Sequence, residues 1–167
     1  MLSRFSILFL AAIGLMGCVV ALPVNPEASL PPVPAGMARV FFYRDADYAE
    51  SGKVAQISLN NQEVGLLWRG EVFYRDIAPG TYLISVSSDL AFPNQFKNAR
   101  IEAGQIRYAK IESLMSWGGM TRRGNPIDLA TYVVALIDAD QAHYDIGQLR
   151  LTAGSLASAS TARAPAS

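Results

Sequence analysis

Short runs of β-branched and aromatic residues, separated by turn-forming pairs, recur from Ala38 to Ile137. The clearest run covers residues 81–88, where Tyr82, Ile84 and Val86 alternate against Thr81, Ser85 and Ser87. A period of two is typical of a strand with one buried face. Strands that follow one another every ~8 to 12 residues indicate a sandwich or a barrel.

The predicted fold class is all-β in the main: an antiparallel β-sandwich or partly open barrel of about seven or eight strands with one C-terminal helix. The predicted strands cover residues 38–44, 54–59, 63–68, 71–77, 81–88, 97–102, 105–114 and 131–137. Arg39, Arg44, Lys97 and Arg107 are candidates for protecting the sheet edges.

Three residue pairs predict tight turns between these strands. Asn60-Asn61 predicts a hairpin, because asparagine tolerates positive φ. Pro79-Gly80 fits the central positions of a type II turn. The Ala-Gly pair that ends at Gly104 predicts a second hairpin.

One helix is predicted after the last strand. Asp138 can cap it, and Gln141 lies three residues further on, as in a capping box. Ala142, Ile146 and Leu149 follow at helical spacing and define its apolar face.

The N-terminus carries a targeting signal. Arg4 precedes an apolar segment at residues 5–16, which is too short for the ~20 residues that span a bilayer. Leu-Met-Gly then precedes Cys18, the only cysteine, and this stretch resembles a bacterial lipoprotein signal. The resemblance implies cleavage before Cys18 and its acylation. Val19 follows instead of aspartate, which favours the outer membrane. An ordinary secretory signal cut nearby is the alternative.

Composition divides the chain into four parts. The signal covers residues 1–17, a proline-rich tether 18–36, the β-domain 37–151 and a disordered tail of small residues 152–167. The tether contains five prolines, Pro23, Pro26, Pro31, Pro32 and Pro34. No cysteine follows position 18, so packing alone must stabilise the domain.

The strand and turn motifs also resemble a known family. They are Ala-Arg-Val-Phe-Phe-Tyr-Arg at 38–44, Ser-Leu-Asn-Asn at 58–61, Val-Gly-Leu at 64–66, Ala-Pro-Gly-Thr-Tyr at 78–82 and Ala-Gly-Gln at 103–105. This series resembles the bacterial lipoprotein family called domain of unknown function 2846, over about Met37 to Ile137. Its middle part is similar to PEGA-type β-domains. The resemblance implies a β-rich envelope domain and supplies no activity.

The residues give little support to catalysis or metal binding. Lysine plus arginine and aspartate plus glutamate both number 14, which does not favour nucleic-acid binding. The single histidine, His143, lies off the apolar stripe of the predicted helix, which predicts a solvated surface position. The acidic residues Asp45, Asp47 and Glu50 do not form a calcium-loop pattern and predict a polar loop. We therefore expect no enzyme, no cofactor and no metal.

One segment has the composition of a contact surface. Residues 116–125 combine Trp117, Met120, Arg122 and Arg123 in a predicted glycine-rich loop, which suits a peptide, a glycan or a lipid headgroup. Alternatively, Trp117 and Met120 cover the open end of the core. Trp68 is predicted to lie in a strand and in the core.

These observations predict a lipid-anchored, non-enzymatic binding or assembly module at the periplasmic face of the outer membrane. The expected partners are the membrane, through Cys18, and envelope proteins or peptidoglycan, with no nucleic acid. The alternatives are a peptidoglycan- or glycan-binding accessory domain and a carboxylate-based hydrolase.

Overall fold

The computed structural model describes residues 26–46, 53–89, 91, 93–120 and 126–154. Within these ranges, nine strands form two sheets, with one α-helix and one short 3-10 helix at Pro26–Ser29. The strands are β1 (Ala38–Tyr43), β2 (Ala55–Leu59), β3 (Gln62–Leu67), β4 (Glu71–Ile77), β5 (Gly80–Val86), β6 (Phe96–Ile101), β7 (Ile106–Met120), β8 (Pro126–Ile137) and β9 (Arg150–Leu151). The helix α1 covers Ala139–Ile146. The predicted β-sandwich with a C-terminal helix is confirmed.

The two sheets have the strand orders β8-β7-β1-β4-β9 and β3-β2-β5-β6. Most of the described strand pairs are antiparallel, as predicted. Two are parallel, β1 with β7 and β4 with β9, and here the antiparallel prediction is wrong. The reason is topological: after β4 the chain crosses to the other sheet and returns only at β7, where it runs in the same direction as β1.

Of the three predicted turns, one has the expected role. Asn60 and Asn61 have φ of 49° and 66° and join the antiparallel strands β2 and β3. Gly104 also has a positive φ, of 77°, but it joins β6 to β7, which belong to different sheets, so the second hairpin prediction is wrong. Gly80 begins β5 outside the left-handed region, so no type II turn forms there.

The main core lies between the two sheets. Phe42 on β1 and Phe73 on β4 stack at its centre, with ring centroids 5.1 Å apart. Gly65 on β3 faces Phe73 so closely that a Cβ there would lie 2.7 Å from the ring atom Cζ. Only glycine leaves room for this ring. The other core residues include Ile57, Leu67, Ile84, Ile101, Ile111 and Tyr132.

A second core lies on the outer face of the five-stranded sheet. Ala142 and Ile146 of α1 pack there against Phe41, Tyr43 and Tyr108. All six residues of β1 are buried, because this central strand has apolar residues on both of its faces. Asp138 caps α1 by accepting a hydrogen bond from the Gln141 amide at 3.0 Å, which confirms the predicted helix start. Within the described residues, no helix is long and apolar enough to cross a membrane.

The β-domain has two distinct ends. At the end where β1 begins, which we call the tether end, Arg39 donates to the Pro31 carbonyl at 2.8 Å. The same guanidinium forms a bidentate pair with Asp76, at 2.7 and 2.9 Å. Met37 accepts a hydrogen bond from the Gly104 amide at 2.8 Å. These contacts hold the last part of the tether against the domain. The opposite end, where β1 stops at Tyr43 and β7 and β8 continue, we call the hairpin end.

The arginine positions correct the edge-protection hypothesis. Arg39 is 3% exposed on the central strand β1, and Arg44 is fully buried just after it. Arg107 is exposed but lies on β7, which has neighbours on both sides. Lys97 does lie on an edge strand, β6. Paired or aromatic-stacked guanidinium groups can be buried, and the sequence pattern does not distinguish them from surface charges.

Polar contacts close both sides of the sandwich. The outer edge of β8 is bonded by the segment that precedes β6, through Ser88 Oγ to the Tyr132 amide and Asp89 Oδ2 to the Ala130 amide, both at 2.8 Å. On the other side, the Arg75 guanidinium donates to the carbonyl groups of Val64, Tyr74, Ala153 and Gly154. The packed chain therefore extends to Gly154, three residues beyond the predicted domain end at 151.

Candidate functional site

The β7–β8 hairpin extends beyond the rest of the domain. Strand β1 pairs with β7 only as far as Lys110, opposite Tyr43. The hydrogen bonds between β8 and the described residues of the segment before β6 reach as far as Ala130. Beyond that level, the described residues 117–120 and 126–129 pair only with each other. We call these residues the distal hairpin, and at ~3.4 Å per residue it adds about 14 Å to the hairpin end.

The predicted contact residues belong to this hairpin or adjoin it in the sequence. The backbone of Trp117 lies in β7 opposite Leu129, and that of Met120 lies opposite Pro126. The predicted loop at 116–125 is therefore wrong in its first half, because residues 116–120 are strand. Arg122, Arg123 and the predicted lipidation site Cys18 lie outside the described residues.

A cluster of polar side chains lies at the hairpin end, between the five-stranded sheet and α1. Lys110 Nζ is 2.7 Å from Asp45 Oδ2 and 3.1 Å from Asp145 Oδ2. Tyr43 donates its hydroxyl to Asp145 Oδ2 at 2.9 Å, and Gln141 donates to Asp145 Oδ1 at 2.7 Å. We call these residues the Lys110 cluster.

The environment shifts the pKa of three groups in the Lys110 cluster. Burial disfavours the charged form of Asp145, but the hydrogen bonds from Lys110, Gln141 and Tyr43 outweigh it and lower its pKa. Burial likewise opposes the charge of Lys110, yet the hydrogen bonds to Asp45 and Asp145 raise its pKa. For Tyr43, burial and its bond to Asp145 both raise the pKa. Both charged partners thus remain ionised at neutral pH.

The Lys110 cluster is suited to holding α1 against the sheet. Its carboxylates, ammonium and phenol are all engaged with one another, and Asp145 alone bonds to β1, β7 and α1. Next to it, His143 is exposed on α1, with Nε2 3.0 Å from the Tyr108 hydroxyl. Among the described residues, no group of three histidine, cysteine or acidic side chains is placed to hold a metal ion.

A cleft of about 310 Å³ opens at the hairpin end, next to the root of the β7–β8 hairpin. Its lining includes Lys53, Gln56, Leu66, Ser87, Asp89 and Tyr132, and we call it the Lys53 cleft. Lys53 Nζ lies 2.8 Å from Asp89 Oδ2. Sequence reasoning missed both this cleft and the Lys110 cluster, because their residues are far apart in the chain and form no local motif.

The structure also corrects the prediction for Trp68. Strand β3 ends at Leu67, and Trp68 begins the turn that leads into β4, with its amide donating to Glu71 Oε2 at 3.1 Å. Its side chain is 51% exposed, so it does not belong to the core. The predicted strand extended one residue too far, and that residue, Trp68, lies exposed in the turn instead of buried in the sheet.

The profile of one protein family, described as Protein of unknown function (DUF2846), matches residues 34–124, more than half of the 167 residues. The chain belongs to this family. The match confirms the DUF2846 resemblance carried by the strand and turn motifs. It covers β1 to β7, whereas β8, α1 and β9 follow it in the chain. No curated protein gives a significant match. The DUF2846 family has no described activity to transfer, so function must be argued from the chain itself.

Proposed function

We propose that this DUF2846 protein is a lipid-anchored, non-enzymatic binding or assembly module at the periplasmic face of the outer membrane, and that the distal hairpin and the residues joining its strands form its contact surface. One observation carries the proposal: the tether is held at one end of the domain, and the hairpin extends from the other. An anchor at Cys18 would then direct the hairpin away from the membrane.

The tether end supports this orientation. Arg39 holds Pro31, and Leu30 packs against the second core, so the direction of the chain is set before it reaches β1. Residues 19–25 separate Cys18 from the 3-10 helix at Pro26–Ser29, and in an extended form they would span about 25 Å. The domain would therefore be held away from the membrane surface, with the hairpin end pointing away from it.

The composition of the contact segment supports a binding role. Tryptophan, methionine and arginine are enriched at the centres of protein interfaces, and tryptophan and arginine are enriched among the residues that dominate binding energy. Trp117, Met120, Arg122 and Arg123 bring these types together within seven residues. The two glycines between Trp117 and Met120 would let a partner approach the backbone closely.

The proposal of a non-enzymatic role rests on the Lys110 cluster. In the described part of the chain, it holds three of the ionisable groups whose pKa is shifted, and such groups are the usual candidates for acid–base chemistry. Here each of them bonds to another member of the cluster, which suits a structural role for α1.

The test compares two triple variants of the full, acylated chain in its native envelope. Trp117→Ala with Arg122→Ala and Arg123→Ala removes the proposed contacts. Phe96→Ala with Arg100→Ala and Arg107→Ala likewise removes one aromatic ring and two arginines, from exposed positions elsewhere.

After in-cell cross-linking and affinity purification, the wild type and the Phe96 control should recover the same envelope proteins or peptidoglycan. The Trp117 variant should recover at least about tenfold less, as for the loss of interface hot spots. A melting temperature equal to that of the wild type shows that it is folded. Equal recovery by a folded Trp117 variant would refute the proposed contact surface.

A further inference from the structure

The Lys53 cleft holds a fixed set of hydrogen-bonding groups that the domain core positions. The Lys53 carbonyl accepts hydrogen bonds from Arg44, at 2.7 Å, and from the Tyr132 hydroxyl, at 2.9 Å. Both donor residues are buried. These two buried donors therefore fix the backbone of Lys53, and its side chain extends to Asp89 at the rim of the cleft.

The Asp89 carboxylate is also fixed by hydrogen bonds, and one of its oxygens can still accept a bond from a ligand. Its Oδ2 accepts hydrogen bonds from Lys53 Nζ and from the Ala130 amide, both at 2.8 Å. Among the described residues, no hydrogen bond reaches its Oδ1. The hydrogen bond from Lys53, followed by that from Ala130, lowers the pKa of Asp89, so the group is a carboxylate at neutral pH. An exposed carboxylate oxygen is thus presented at the cleft.

The charge balance of the cleft favours an uncharged polar ligand. Lys53 and Asp89 neutralise each other, so the pair offers no net attraction to a phosphate or to a cation. Gln56, whose Nε2 donates to Glu63 Oε2 at 2.6 Å, adds an amide oxygen, and Ser87 adds a hydroxyl, so the lining contains both donors and acceptors. Sugar hydroxyls also both donate and accept, and they match such a mixture.

An apolar side completes the arrangement. Leu66 and Val54 line the cleft beside the polar groups. The pairing of β2 with β3 ends at Ala55 and Leu67, and Trp68 directly follows Leu67 in the chain. An exposed indole at this position offers a flat surface for the C–H face of a ring. The volume of about 310 Å³ is at the lower end of the range of ligand pockets, which suits one or two rings.

We infer that the Lys53 cleft is a binding site for a pyranose-containing saccharide, with Asp89, Lys53, Gln56 and Ser87 bonding to its hydroxyl groups and Trp68 beside the ring. The inference is independent of the proposed contact role of the distal hairpin. Both features lie at the hairpin end, but the residues that line the cleft and those proposed for the hairpin contact differ.

Amide chemical shifts of the acylated chain in detergent micelles, recorded during titration with a disaccharide, test the inference. N,N′-diacetylchitobiose and cellobiose share their linkage and differ in the acetamido groups, so a preference between them separates an amino-sugar glycan from a neutral one. We expect saturable shifts at Lys53, Gln56, Ser87 and Asp89, with affinity of about millimolar strength. Cleft amides that do not respond to either disaccharide would overturn the inference.

Variants locate the site. Asp89→Asn keeps an oxygen for the Ala130 amide, removes the charge, and should weaken binding about fivefold or more. Trp68→Ala should do the same, whereas Glu102→Gln and Phe96→Ala, which alter an exposed carboxylate and an exposed ring elsewhere, should not. The Trp117 triple variant should bind the sugar normally. Wild-type affinity in both cleft variants, or loss of affinity only in the hairpin variant, would refute the assignment.

Discussion

Asp145 joins three elements through a single carboxylate. It accepts hydrogen bonds from Tyr43 on β1, Lys110 on β7 and Gln141 on α1. Hydrogen bonds to an ionised group contribute more to stability than bonds between neutral groups. Because two of these bonds reach strands of the sheet, Asp145 should matter more to the helix than its position near the C-terminus of α1 suggests.

Asp145→Asn should lower the free energy of unfolding at pH 7 by about 2 kcal/mol, because hydrogen bonds to a charged group are weakened and Lys110 loses one of its two anions. The pKa of Asp145 is lowered in the folded protein, so its contribution is complete above the unfolded value of about 3.9. The contribution disappears as the pH falls through the lower folded value.

Urea unfolding at pH 7 and near pH 3 measures this difference. The wild type and Asp145→Asn should differ at pH 7, and the difference should be smaller near pH 3. Asp140→Asn, an exposed change on the same helix, is the control and should have little effect. An Asp145 variant as stable as the control at pH 7 would show that the cluster does not hold α1.

Asn60 and Asn61 allow a matched pair of substitutions in one turn. Asn61 has φ of 66° and makes no described side-chain bond, so Asn61→Gly should stabilise the domain by about 0.5 kcal/mol. Asn60 Oδ1 accepts a hydrogen bond from the Leu83 amide at 2.8 Å, so Asn60→Gly should cost about 1 kcal/mol. Thermal unfolding of both variants checks the opposite signs, and a shift in the same direction would contradict this assignment.

At the scale of elements, the period-two pattern located the strands well. Strand β4 has the predicted bounds, and β1, β2 and β3 differ from prediction by one residue at one or both ends. Their pairing was harder to predict. The neighbours Val40 and Arg107 lie in strands separated by five others in the sequence, and no local pattern encodes a parallel pair formed by a chain that leaves the sheet and returns.

The glycine-rich segment shows how a partner strand can override local preference. Gly118 and Gly119 weaken a strand, which is why the sequence predicts a loop there. In the fold they pair with Asp128 and Ile127, because the long antiparallel pairing of β7 with β8, whose register shifts once between Ser113 and Met115, continues through them. Pairing with β8 therefore stabilises the extended conformation that the glycines by themselves do not favour.

Shortening the hairpin should separate folding from function. Removing residues 118–128, joining Trp117 to Leu129 through Asn-Gly, and changing Trp117→Thr retains the pairs up to Trp117–Leu129. Because the described residues among those removed pair only with each other, the melting temperature should change by less than ~3 °C. The proposed partner binding should be lost. Calorimetry measures the melting temperature, with Trp117→Thr alone as the control. A melting temperature more than ~10 °C below that of the control would show that the hairpin supports the domain.

At the scale of the whole molecule, the tether and the candidate contact surfaces lie at opposite ends of the domain. The tether is held beside the first residue of β1, and the strands run from there to the hairpin end, where the Lys110 cluster and the Lys53 cleft also lie. For an anchored protein, this arrangement would place every candidate contact on the side away from the membrane. The direction depends on Arg39, which bonds to both the tether and Asp76.

Membrane attachment should depend on Cys18. Cys18→Ser should release the protein from the membrane fraction, because each buried acyl methylene contributes about 0.8 kcal/mol and that contribution would be lost. Detergent phase partitioning and mass spectrometry of the mature protein measure the effect. Met16→Ala, which leaves the cysteine in place, is the control and should remain acylated. A wild-type mass without acyl chains would refute the predicted anchor.

Local residue patterns were enough to predict the family, the β-rich class, most strand positions, the Asn60-Asn61 hairpin and the start of α1, since each depends on residues close together in the chain. Long-range packing set which strands are neighbours, the burial of Arg39 and Arg44, the exposure of Trp68 and the extension of β7. It also assembled the Lys110 cluster and the Lys53 cleft. These features depend on contacts between residues tens of positions apart, where burial and partner charge, and not local preference, set the outcome.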